Sequence, residues 1–409
     1  MLGCLLLATL LLEVFVLTYL EYLSWKTIYT PLCCLMLPYT VVLLITIAVA
    51  GRFGFVDFYY PSIFVWNVGL ILFAIPSYLM GMLVKKSPAL FEAKIEEGSY
   101  PWSLGVLSII ISIAFFYRFM TVLSSTTEVF GTADFAEEFS GHGIWAHLRE
   151  VVMPLVIIAT YYITKKKWWL WIITALLLSV QFLYMVKGAV IIAIVSGMCM
   201  RLYAHKMHLS LSLLAKVFLG GFAIFIITYM VLPLIGNESG EANMELFEFV
   251  TGHFFHYFTS GTLGYSYDMQ IGMPDRGDFE IIVSPFVNIY KTLTGDPNIL
   301  SPVNPYYHHT GIDLTNVRTF FGTLHVYSNV WEFVIYTLIA SSLMYALKLS
   351  AMHTGNIFIY VILSYFCGLM AMGWFEFYLF HLSIIEIPLI TLVLMGITRL
   401  HHKKQEVES

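Results

Sequence analysis

Residues 236–249, GNESGEANMELFEF, and residues 297–322, PNILSPVNPYYHHTGIDLTNVRTFFG, bracket the one long run of the chain that is neither apolar nor basic. On either side, apolar blocks alternate with short charged joints. The chain is 59% hydrophobic and 11% charged, against roughly 25% charged in soluble domains. Its apolar blocks have the length, about 17 to 25 residues, at which a helix spans a bilayer. These features predict an all-α, polytopic transmembrane protein whose stretch 236–325 is a large, partly helical loop. A long connection among membrane helices is commonly a functional one.

Hydropathy places eleven helices near 2–20, 28–50, 62–84, 101–123, 150–164, 168–185, 188–203, 211–235, 326–347, 356–373 and 382–399. Three regions follow: helices one to eight within 1–235, the loop 236–325, and three helices with a tail in 326–409. The sixth and seventh helices meet at Lys187, and the alternative is one tilted helix. Segment ELFEFVTGHFFHYFTSGTLGYSYDM, with His253 and His256, is too apolar for a solvated linker. It is expected to lie along the membrane surface or dip inward. FEIIVSPFVNIYKTL is a second candidate surface helix.

With these boundaries 14 of the 21 Lys and Arg residues fall on one side and 7 on the other. The positive-inside rule makes the richer side cytoplasmic. The N-terminus and the loop are then external and the C-terminal tail internal. The formal net charge of −5 adds little. No basic patch with interleaved aromatics is present, which argues against nucleic acid as a partner. The five cysteines all lie in apolar runs, and no CxxC or Cys/His spacing points to structural zinc. The N-terminal run lacks a basic leader and reads as a retained first helix.

The seven external basic residues need a reason to be where cations are depleted. Arg118 sits near the outer end of its helix, Lys187 at a helix joint, Arg276 in MPDRGDF, and Arg318 in DLTNVRTFFG. The first three also have plain structural readings, namely snorkelling, a turn residue, and a local pair with Asp275 or Asp278, whereas Arg318 is harder to dismiss, lying just before a helix in an aromatic setting after two histidines and an aspartate. Arg149 has Glu150 as an immediate partner. His308 and His309 in tandem, with Asp313 nearby, supply candidate bases, of which at most one faces a site. Glu376 and His381 lie on the connection before the last helix. Glu13 and Glu386 fall within apolar helices, where carboxylates often mark ion paths. No Gly-rich phosphate loop, GxSxG elbow, HExxH or DxD-like motif occurs, so neither a metal nor an organic cofactor is expected. Any catalysis is expected to rest on Arg, Lys and a base.

The run NPYYHHTGIDLTNVRTFFGTLHVYSNVWEF resembles the end of the large external loop of Wzy-type oligosaccharide repeat-unit polymerases, which make O-antigen and capsule. The resemblance rests on Asn304-Pro305-Tyr306 and on Asn316-Val317-Arg318-Thr319-Phe320, and Lys187-Gly188 stands where such chains often carry Arg-Gly. It implies a GT-C-like glycosyltransferase of the bacterial inner membrane with undecaprenyl-pyrophosphate-linked oligosaccharides as substrates and a chain-length regulator as partner. It further implies that Arg318, Arg276, Lys187 and Arg118 bind the pyrophosphate and that His309 or Asp313 is the base. Two alternatives remain open: an O-antigen ligase-like transferase, and a transporter or flippase. The absence of a clear internal repeat weakens a transporter of two related halves, whereas Glu13 and Glu386 favour transport.

Overall fold

A computed structural model describes residues 2–96, 98–125, 133–141, 143–184, 187–235, 244–272, 278–301 and 303–408. Within them the chain is helical almost throughout. The helices are α1 (Leu2–Trp25), α2 (Pro31–Phe53), α3 (Ile63–Lys86), α4 (Trp102–Ser125), α5 (Ala133–Ser140), α6 (Gly143–Glu150), α7 (Val152–Tyr162), α8 (Leu170–Leu183), α9 (Lys187–Tyr203), α10 (Leu211–Ile235) and α11 (Met244–Ile271). Then come α12 (Ser284–Thr294), a two-residue hairpin of β1 (His308–His309) and β2 (Leu314–Thr315), α13 (Phe320–Val326), α14 (Val330–Thr354), α15 (Ile357–Ala371) and α16 (Ser383–Glu408).

Six helical stretches among the described residues are long and apolar enough to cross a membrane, and shorter apolar helices accompany them. At the centre stands α15, packed against α2, α7, α9, α14 and α16. Twelve of its residues are buried, which is why its sequence is apolar on all faces rather than along one stripe. A second layer forms where α3 packs between α1 and α14.

The helix ends follow from local chemistry. Thr30 caps α2 ahead of Pro31, and a proline at the first helical position gives up a donor that has no partner anyway. Asn329 and Glu332 close a capping box on α14, and Gly355 ends it in the left-handed conformation. Arg201 donates to the carbonyls of Thr160 and Ile163 and so finishes α7.

Helices α8 and α9 are separate and antiparallel. Gln181, late in α8, donates to Arg149 O ahead of α7, whereas Arg201, late in α9, reaches the far end of α7. Trp169, at the start of α8, and Tyr162, at the end of α7, both pack on Tyr100, so α8 runs back along α7 and α9 returns beside it. Two findings differ from the sequence reading. Residues 133–150 carry the short helices α5 and α6, where the sequence indicated only an acidic connection. Residues 244–271 form one continuous helix of 28 residues rather than part of a loop; of the two expected placements, along the surface or dipping inward, it takes the inward one. Its Phe255 stacks on Phe53 at 5.3 Å, and Thr46 of α2 donates to Thr262.

Glycine explains how α11 comes so close. A Cβ on Gly261 would stand 2.3 Å from Phe375 O, and one on Gly264 would stand 2.7 Å from Val317 O. Both obstacles are backbone, which cannot swing aside. Gly261→Ala should therefore cost about 1–3 kcal/mol or more by overpacking, read as a fall in melting temperature in detergent. Gly220→Ala on α10 meets nothing within 4 Å and should be neutral or mildly stabilising. Equal melting of the two variants would disprove the close approach.

Candidate functional site

One face of α11 carries the polar groups of the site at helical spacing, and the segment 308–318 lies along it. His253 Nε2 stands 3.4 Å from Asp313 Oδ2. His256 Nε2 and Thr310 Oγ1 share a buried hydrogen bond of 2.8 Å. About two turns beyond, Gly264 admits the backbone at Val317, and one turn further Asp268 meets Arg318.

The pair Asp268–Arg318 is bidentate. Arg318 Nη2 donates to Asp268 Oδ1 at 2.9 Å, and Nε donates to Oδ2. Two further fork donors go to the carbonyls of Val317 at 3.0 Å and Tyr306 at 3.4 Å. Both side chains are buried, at 0% and 1% exposure. Buried charges are tolerable when paired and hydrogen-bonded in this way. A third group joins them: His308 Nε2 lies 2.8 Å from Asp268 Oδ1, with 18% of its side chain still exposed. Tyr267 packs its ring edge to face with His308 at 5.3 Å.

The hairpin decides which histidine faces inward. His308 is registered with Thr315 and His309 with Leu314. Thr315 is buried and Leu314 exposed, and strand side chains alternate between faces. His308 therefore turns to Asp268, while His309 is exposed to solvent.

The two halves of the loop motif are tied together. Asn304 Oδ1 accepts from Tyr306 N at 3.0 Å and from Tyr327 Oη at 2.8 Å. Asn316 Nδ2 donates to Asn304 O at 3.1 Å. Thr319 caps α13, accepting from Gly322 N and from Trp66 Nε1 on α3. Phe320 N donates to Gly373 O, at the turn that follows α15. The site thus rests on α3, α11 and α15 rather than on a free loop.

Glu376 belongs to that supporting turn, beside the Trp374 and Phe375 carbonyls that admit Gly261. Burial pushes its carboxyl from the ordinary value near 4.5 up to about 7. A carboxyl raised in the folded state favours its neutral form. Its burden on stability is absent below about pH 4.5, grows between there and about pH 7, and is complete above. Glu376→Gln should accordingly raise the melting temperature more at pH 8.5 than at pH 5. An equal gain at both would remove the ionisable origin of the effect.

Of the four cations expected to converge, the side chains of Arg118 and Arg318 are described, and each is held by its own partners. Arg318 gives four of its five N–H donors to Asp268 and the two carbonyls, which turns its fork toward Asp268 and leaves one Nη1–H. Arg118 donates to Glu138 O at 2.9 Å and Phe139 O at 3.4 Å, finishing the C-terminus of α5 as a helix-capping cation. Among the described residues no hydrogen bond or ion pair joins Arg118 to Arg318. Lys187 is the first residue of α9, and its side chain lies outside the description. Arg276 lies outside the described residues altogether. Of the two expected bases, His309 points outward and Asp313, 57% exposed, pairs with His253. Arg149 pairs with Glu150 at 3.0 Å, and Glu386 finds a partner in His147 of α6.

Asp268 carries the site without having been singled out in the sequence. The available signal was a carboxylate one helical face away from His253, His256 and Gly264 in an otherwise apolar, aromatic segment. Reading 244–271 as part of a loop, with no helical face assigned to it, hid that face.

Comparison with known proteins gives one match. A family of unknown function, DUF6337, covers residues 54–404. The chain belongs to this family. The matched span takes in α11, the hairpin and α13, so the Asp268–His308–Arg318 cluster lies wholly within it. No curated protein and no solved structure matches the chain.

Proposed function

We propose that this DUF6337 protein is a membrane glycosyltransferase that joins oligosaccharide repeat units carried on a polyprenyl diphosphate, at the external face of a bacterial inner membrane. The observation that carries the reading is the buried Asp268 carboxylate, held by Arg318 on one side and lying 2.8 Å from His308 on the other. A carboxylate that orients an imidazole is the arrangement used to take a proton from a hydroxyl.

In this scheme the His308 ring turns so that its Nε2–H, now 2.8 Å from Asp268 Oδ1 but without a hydrogen bond to it, donates to the carboxylate, which leaves the Nδ1 lone pair for the acceptor sugar. His308 removes the hydroxyl proton as the sugar oxygen attacks the anomeric carbon. The bond from that carbon to the phosphate oxygen breaks, and the diphosphate leaves as an anion with the electron pair. Asp268 supplies the negative charge against which the imidazolium forms. Arg318 is a positioning residue, not a phosphate ligand. Lys187 and Arg276 remain the cations proposed to meet the diphosphate. A single displacement of this kind inverts the anomeric centre. Exposed Tyr306 and Tyr307 are available to stack on sugar faces.

Deletion of the gene in its native host tests the reaction. Surface polysaccharide reduced to single repeats on a gel supports the polymerase, whereas total loss points to a flippase or an earlier step. Sidedness has its own test. Asn298 lies in an exposed turn beside Asp296. Asn298→Cys, in a background freed of native cysteines, should react with a membrane-impermeant maleimide in intact spheroplasts. Labelling only after lysis would place the site on the wrong side for this reaction.

A further inference from the structure

A lateral groove of about 500 Å³ runs down one side of α14, walled on the other side by α15 and the start of α16. Ile335, Ile339, Leu343 and Leu347 follow one another along it, a rise of about 18 Å at 1.5 Å per residue. Ile335, Ile339 and Leu343 are more than half exposed, so the groove opens sideways on a helix long and apolar enough to span the membrane. In a bilayer a groove with such walls fills with hydrocarbon, because water would find almost no polar partner there.

Its mouth lies under α12. Phe286, on the mouth, is 60% exposed, and Tyr290 and Leu293 on the same face are 68% and 81% exposed. Lys291 turns away to donate to Asn298 O. An amphipathic helix of this kind lies in the membrane interface, and Trp331, 74% exposed at the start of α14, fits the same level. The back wall leads to the site. Tyr336 lines the groove and packs on Phe377 at 5.7 Å, and Phe377 packs on Phe320 at 4.9 Å. Phe320 is two residues from Arg318, so one aromatic layer separates groove and site segment.

We propose that this groove holds the polyisoprenoid chain of the lipid-diphosphate substrate, drawn from the bilayer beneath α12 with its polar end at the mouth. The inference rests on the glycosyl-transfer reading above. That reaction needs a carrier chain kept in the bilayer while its head reaches Asp268 and His308. This groove runs from the bilayer-facing surface to Tyr336, with Phe377 between that ring and Phe320.

The full-length protein in nanodiscs, probed with undecaprenyl phosphate and analysed by native mass spectrometry, tests it. The wild type should retain the polyprenyl chain against excess phosphatidylglycerol. Leu343→Trp at the open rim and Ala340→Trp on the wall should lower retention tenfold or more. Val393→Trp, equally lipid-exposed on α16 but outside the groove, should not. Leu343→Trp keeps a bilayer-facing side chain, so its folding is not at issue if Ala340→Trp fails to express. Displacement by phosphatidylglycerol would assign the groove to bulk lipid and overturn the proposal, as would full retention by Leu343→Trp. The two readings separate cleanly. Polyprenyl retention with unaltered surface polysaccharide after gene deletion keeps the groove and rejects the reaction. Shortened polysaccharide without retention keeps the reaction and rejects the groove.

Discussion

Arg318→Ala should leave little folded protein. The substitution removes the only bidentate partner of a carboxylate that is 1% exposed, and it strands the acceptor carbonyls of Val317 and Tyr306. Breaking a buried pair from one side costs about 3–5 kcal/mol, because an uncompensated charge stays behind. That is a large part of the total stability of an ordinary domain. Arg318→Lys keeps the charge but not the planar fork, and should recover only part of the loss. The decisive comparison is Arg318→Met with Asp268→Leu together. Replacing both partners by apolar side chains of similar bulk is often neutral or stabilising, so the double variant should melt near the wild type while remaining inactive. If Arg318→Ala alone melts like the wild type, the pair is not the anchor described here. If the double variant is active, Asp268 has no part in the chemistry.

His308→Ala should do the reverse, with stability kept and chain joining lost. His308 is partly exposed, and among the described residues its side chain meets Asp268 and Tyr267, so truncation leaves a small, solvent-reached gap. Loss of a positioned general base lowers rate by about a hundredfold to ten-thousandfold. The readout is repeat-unit number in surface polysaccharide, with protein level followed by blot. His309→Ala is the matched control, since its side chain faces solvent on the other side of the hairpin. Wild-type polymer from His308→Ala and single repeats from His309→Ala would mean that the outward histidine is the base.

The sequence made the helical, membrane-embedded class legible because that class depends on composition and on the length of apolar runs. It also marked the break at Lys187, since a basic residue flanked by short apolar blocks has few other uses. The site was legible only along its second strand. Arg318 stood out as a cation in an aromatic setting, but its partner did not. Asp268 lies 50 residues away, and nothing in one sequence reports such a pairing. The choice between His308 and His309 depends on hairpin register, which two strands of two residues scarcely encode. Arg118 misled for a related reason. A cation near a helix end serves a neighbouring helix terminus as readily as a ligand, and the receiving helix, α5, was itself not foreseen.

The distance along the chain between Asp268 and Arg318 also sets an order of assembly. Synthesis runs from the N-terminus, so α11 leaves the ribosome well before residue 318 exists. Until then the Asp268 carboxylate has no guanidinium to meet, and α11 lacks the backbone strip that Gly264 was shaped to receive. A charge of that kind is expensive to bury alone, so α11 stays hydrated on its glycine face until the hairpin arrives. The bundle cannot close before α14 and α15 are made, because α15 stands at its centre and α14 packs on α3, so α11, β1, β2 and α13 settle together with these last helices as one late unit. A nascent chain halted between residues 272 and 318 would present that face openly, which makes this interval the stretch of synthesis most exposed to proteolysis and to capture by chaperones.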